Sequence, residues 1–107
     1  MPDEKPPLFA VIGGSGVYGI AELENQRWVQ VDSPFGDPSD DLLFGELDGE
    51  TIVFLPRHGR GHRVSPTDIN YRANIDCLKR AGVDRIISMS AVGSLREHLH
   101  PGDFVIV

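Results

Sequence analysis

LLFGELDGETIVFLP, residues 42–56, decides between two folds. Two apolar, strand-length runs flank Asp48-Gly49. Both central positions of a tight two-residue turn take positive φ, which Asp and Gly tolerate. Leu42–Leu47 and Glu50–Pro56 therefore read as the two arms of a β-hairpin. A hairpin here interrupts any simple alternation of strand and helix.

Working outward, LFAVIGG (8–14) is a continuous apolar run ending in glycine, the pattern of a buried parallel strand. Gly14-Ser-Gly-Val-Tyr-Gly19 follows it and matches G-x-G-x-x-G, with Asp32 placed 18 residues after Gly14. That spacing imitates a dinucleotide-binding fingerprint. The match fails on helix length: a full helix must pack between the first two strands of such a unit. Only Ile20–Gln26 is available, at most two helical turns, and the hairpin comes next. RWVQV (27–31) alternates and predicts a strand, and SPFGDPSDD (33–41) predicts an exposed loop.

Beyond the hairpin, SPTDINYRANIDCLKRAG (65–82) predicts a helix with Tyr71, Ile75 and Leu78 on one apolar face. Asp68 and Asn70 are its candidate caps, and Gly82 its stop. VDRIISMS (83–90) predicts another buried strand, and FVIV (104–107) the beginning of a further one. Strands mixed with a helix and a hairpin imply an α/β fold with a mixed central sheet flanked by helices. Ending within an apolar run, residues 1–107 are expected to be the N-terminal portion of a longer domain.

Composition narrows the function. The chain of 107 residues is 40% hydrophobic and 24% charged, which suits a globular domain. No apolar run approaches the roughly 20 residues that span a bilayer, so no membrane association is expected. A formal net charge of -6 argues against a general nucleic-acid binder. A single cysteine, Cys77, and an N-terminus without signal-peptide features lead us to expect a cytoplasmic location.

Against that acidic balance stands RHGRGHR (57–63), three Arg and two His with no acid from Thr51 to Thr67. It follows a strand directly, and strand C-terminal ends form the ligand edge of open α/β sheets. The Arg57 fork matches phosphate oxygens, and His58 adds a second donor. Ser15, in the glycine-rich turn after the first strand, adds a hydroxyl and nearby backbone N–H groups; that stretch alone fits a ligand-free turn equally well. Ser90 ends the strand predicted at 83–90, and Ala91 and Ser94 follow it. Parallel neighbours would gather these strand ends around one phosphate-sized anion.

The stretches IGGSGVYGI (12–20), LPRHGRGHRVSPTDINYRANI (55–75) and SAVGSLREHLHPGDFVIV (90–107) together resemble the trimeric purine nucleoside phosphorylase family, and within it the methylthioadenosine phosphorylases. The resemblance implies a phosphorylase/hydrolase-like fold, with residues 1–107 as the N-terminal part of one domain. It implies phosphorolysis of the N-glycosidic bond of 5'-methylthioadenosine, giving adenine and 5-methylthioribose 1-phosphate, a pentosyl transfer of purine and methionine salvage. Inosine, guanosine or methylthioinosine are the alternative substrates; a non-catalytic phosphate- or nucleotide-binding fragment is the alternative of another class. Carried over, Ser15, Arg57, His58, Ser90 and Ala91 bind phosphate, and Val92, Gly93 and His62 are further substrate contacts. The resemblance further implies inorganic phosphate as co-substrate, no metal or organic cofactor, and a homotrimer for the full-length protein. The family's purine-gripping residues fall beyond residue 107, so residues 1–107 alone are expected to be inactive.

Overall fold

In the computed structural model, which describes residues 7–14 and 22–107, Asp48 and Gly49 take φ of 51° and 82°. The turn joins β3 (Leu42–Leu47) to β4 (Glu50–Pro56) in antiparallel register, with Leu43 opposite Phe54 and Leu47 opposite Glu50. β1 (Phe9–Gly13) lies parallel to β4, pairing Ala10 with Val53 and Ile12 with Leu55. β2 (Glu24–Val29) runs antiparallel to β3, and β5 (Arg85–Ser88) parallel to β1. The sheet is mixed, in the order β2-β3-β4-β1-β5.

Side chains alternate cleanly across the central strands, as a pleated sheet requires. Ala10, Ile12, Leu42, Val53 and Leu55 share one face with Leu78. Val11, Leu43, Ile52 and Phe54 share the other with Leu23 and Trp28. Gly45 of β3 is required by the second layer: a Cβ there would lie 2.3 Å from Leu23 Cγ.

The first face is covered by α1 (Tyr71–Arg80). Asn70 caps it by accepting from the Ala73 N–H at 3.1 Å. Asp68 is not a cap; it accepts from the Ser65 hydroxyl. The expected apolar face is corrected as well. Tyr71 and Ile75 are 60% and 47% exposed, while Ala73, Asn74, Cys77 and Leu78 are buried. Leu78 packs against the sheet as expected, while Tyr71 and Ile75 face outward. The Cys77 thiol donates to Val31 O, and burial pushes its pKa up.

Three other expectations need correction. Glu24–Gln26 belong to β2, not to a short helix, and β2 ends at Val29 rather than at residue 31. β5 is exposed along its whole length, because it pairs only with β1 and no described element covers its faces. Residues 104–107 form no strand. The dinucleotide-unit reading stays excluded: β2 is at the far edge of the sheet, antiparallel to β3, not beside β1. Among the described residues, no helix is long and apolar enough to cross a membrane.

Candidate active site at three strand ends

The strand order places the C-terminal ends of β4, β1 and β5 side by side. Arg57, the first residue after β4, ties them together. Its backbone N–H donates to Gly13 O at 2.9 Å, extending the β4–β1 pairing by one step. Its guanidinium Nη2 donates to Ile12 O of β1 at 3.4 Å and to Met89 O just after β5. Met89 N–H in turn donates to Ile12 O at 2.8 Å. One side chain thus spans segments separated by 45 and 32 residues. Among the described residues no carboxylate pairs with it, and its Nε and Nη1 donors carry no hydrogen bond.

His58 sits beside Arg57 with its ring fixed. The Val64 carbonyl, 3.0 Å from Nδ1, can only accept, so Nδ1 carries the proton. Nε2 is then an acceptor in the neutral ring and a donor only in the imidazolium. The loop closes on itself where Val64 N–H donates to His58 O at 2.8 Å. His62 stacks on His58, centroids 4.4 Å apart and planes 23° from parallel, so these two expected residues are brought together.

Ser90 and Ala91 follow Met89 directly and are exposed, as are Val92 and Gly93. Their sequence position puts the first two at the strand-end cluster. The Ser94 hydroxyl is engaged elsewhere: it donates to Arg96 O and accepts from Arg96 N–H. Ser15 lies outside the described residues; the residue before it, Gly14, directly follows β1.

The run has no acid of its own, but a distant one pairs with two of its three arginines. Asp40, 20 residues upstream, pairs with Arg60 at 2.9 Å and Arg63 at 3.0 Å. Arg60 also lies over the Trp28 ring, 3.8 Å from its centroid. Asp40 and Ser39 are buried, so 33–41 is not the fully exposed loop its composition predicts. The signal was hidden because a partner outside the run is invisible to local charge counting. A cleft of about 240 Å³ opens beside Ser39, Arg63 and Asn70, but its walls include none of Arg57, His58, Ser90 or Ala91. Arg57 ties the three strand ends together, and we place the candidate site there.

A mixed sheet with an arginine bridging three adjacent strand ends defines an α/β protein. Residues 8–107 match the model of the Phosphorylase superfamily, and the chain belongs to that family. It is 65% identical over 102 residues to the S-methyl-5'-thioadenosine phosphorylase of Rhodospirillum rubrum, covering 95% of this chain and 35% of that protein. The namesake from Cereibacter sphaeroides is 61% identical over 100 residues, with coverages of 94% and 34%. Among solved structures, a methylthioadenosine phosphorylase from an Antarctic soil metagenomic library aligns with a TM-score of 0.82 at 55% identity, over 89% of this chain and 33% of that one. Methylthioadenosine phosphorylase from Schistosoma mansoni in complex with adenine aligns with a TM-score of 0.81 at 43% identity, over 92% and 35%. The chain spans about a third of the length of each of these four proteins.

Proposed function

We propose that residues 1–107 supply the phosphate half-site of a phosphorylase acting on 5'-methylthioadenosine. The observation that carries this is the Arg57 bridge across β4, β1 and β5, in a chain whose relatives bear that name. In the proposed reaction a phosphate oxygen attacks the anomeric carbon while the bond to the purine nitrogen breaks. The bonding pair leaves with adenine, which takes up a proton, and 5-methylthioribose 1-phosphate forms. Arg57, whose Nε and Nη1 have no partner among the described residues, and His58 hold the phosphate in place; Ser15, Ser90 and Ala91 complete its shell; His62, Val92 and Gly93 contact the remainder of the substrate. Holding the nucleophile converts a bimolecular attack into a positioned one. Its negative oxygens then face and stabilise the positive charge developing on the ribose. The groups that grip the purine belong to other parts of the polypeptide, which acts in the cytoplasm as a homotrimer, with inorganic phosphate as co-substrate and no metal or organic cofactor.

The test is phosphate-dependent adenine release from methylthioadenosine by a full-length polypeptide carrying this chain, with adenosine and inosine as comparison nucleosides. Charge-assisted hydrogen bonds contribute about 1.5–3 kcal/mol, so Arg57→Ala should raise the phosphate KM roughly 10- to 100-fold. A phosphate KM unchanged by Arg57→Ala would sink the site assignment; preference for inosine would move the substrate to a sibling nucleoside.

A further inference from the structure

We propose that Asp40 is a positioning residue for the phosphate half-site, holding the 57–64 loop so that Arg57 and His58 are presented at the strand ends. The inference rests on the phosphorolytic reading above. Asp40 lies just before β3, and its side chain is 1% exposed. A buried carboxylate is expensive unless its lone pairs are met, and here four hydrogen-bond donors and a further ion pair meet it. Oδ2 accepts from the Arg60 backbone N–H at 2.8 Å and from Arg60 Nε at 3.0 Å. Oδ1 accepts from Arg60 Nη2 and from the Asp41 N–H at 2.7 Å, and Arg63 Nη2 forms an ion pair with it at 3.0 Å. The contact to the Arg60 backbone matters most, because it fixes the chain itself three residues after Arg57.

The carboxylate is in turn fixed from behind. Asn74, buried in α1, accepts from the Ser39 N–H at 2.8 Å and donates to Ser39 Oγ at 3.1 Å. The loop also packs against this anchor without any charge. Gly59 has φ of 74°, and a Cβ there would lie 2.8 Å from Ser39 O. A rigid path therefore runs from α1 through Ser39 and Asp40 to the loop that carries Arg57 and His58. The same pairing occupies Arg60 and Arg63, leaving Arg57 as the arginine of the run with no acid partner among the described residues. Burial alone would raise the Asp40 pKa; the side-chain and backbone hydrogen bonds from Arg60 and the Asp41 N–H outweigh it and hold the group below its ordinary value, ionised throughout the neutral range.

The experiment uses the full-length polypeptide and compares Asp40→Asn, Arg63→Gln and Arg57→Ala with wild type. An ångström-scale misplacement of the loop should raise the phosphate KM about tenfold in Asp40→Asn, with the methylthioadenosine KM within about twofold of wild type. Arg63 is 58% exposed, so its loss leaves the core intact; Arg63→Gln should raise the phosphate KM by a smaller factor, about threefold, and it decides the matter if Asp40→Asn does not fold. Asp40→Asn with a lowered melting temperature but an unchanged phosphate KM would make Asp40 merely structural and overturn the inference. So would a fall in phosphate KM, which would mean that Asp40 withholds cations from the site, or an unchanged phosphate KM in Arg63→Gln when Asp40→Asn is unfolded. Where Arg57→Ala raises the phosphate KM and neither other variant does, the inference alone fails. Where wild type shows no phosphate-dependent turnover, or Arg57→Ala changes nothing, the phosphorolytic reading fails and takes the inference with it.

Discussion

Residues 22–82 and residues 83–107 contain comparable apolar runs, but they are treated differently by the fold. In the first stretch β3 and β4 have neighbours on both sides, and α1 closes one face over Leu42, Val53 and Leu55. In the second, no residue is buried. Ile86 and Ile87 in β5 are 41% and 49% exposed, and Phe104–Val107 forms no strand. The difference lies in partners rather than in residue type. A β-run becomes core only where a second layer meets it.

The comparison can be broken or sharpened by substitution. Leu78→Ala removes a fully buried side chain from the α1–sheet layer and should cost about 2–5 kcal/mol in denaturant unfolding of the 107-residue chain. Gly59→Ala should cost about 1–3 kcal/mol, since φ of 74° with ψ of 161° is glycine territory and the new methyl would meet Ser39 O. Asp40 makes a pH-dependent contribution. Its folded pKa is lowered, so the stabilisation is present above the unfolded value near 3.8 and is lost as pH falls through the folded pKa. The stability gap between wild type and Asp40→Asn should therefore be level from neutral pH down to that value and narrow below it; a gap still level at pH ~2 would contradict the ionised network. The smallest effect belongs to the second stretch. Ile106→Ala should change stability by no more than about 0.5 kcal/mol in the 107-residue chain. A cost of about 2 kcal/mol or more for the same change in a longer polypeptide would show that this segment finds a covering layer there.

What sequence reading captured follows the same division. The hairpin bounds, 42–47 and 50–56, were legible because Asp-Gly encodes its turn locally. β1 and its parallel pairing were legible from an unbroken apolar run. β2 was misplaced because Glu24, Asn25 and Gln26 carry no strand signal; Glu24 joins by pairing with Glu46 of β3, and the register shifts before Arg27. The helix face was misread because Ala73, Asn74 and Cys77 look less like anchors than Tyr71 and Ile75. At the site, Arg57 and His58 stood out by charge and by position after a strand. Asp40 did not: an acid in a loop of Pro, Gly and Asp looks solvated until the loop at 57–64 folds over it.

The span of the Arg57 contacts has a kinetic consequence. Its partners Ile12 and Met89 lie 45 and 32 residues away, and both must be delivered by parallel pairings, of β4 and of β5 with β1. Such long-range pairings close slowly, because large loops lose entropy before any contact rewards them. The hairpin and α1 need no such closure. The Arg57 bridge is therefore expected among the last features to assemble, and it depends on the intact sheet: anything that unzips β5 from β1 withdraws the Met89 carbonyl from it. Anion affinity at these strand ends would report on completed folding of the parallel half of the sheet.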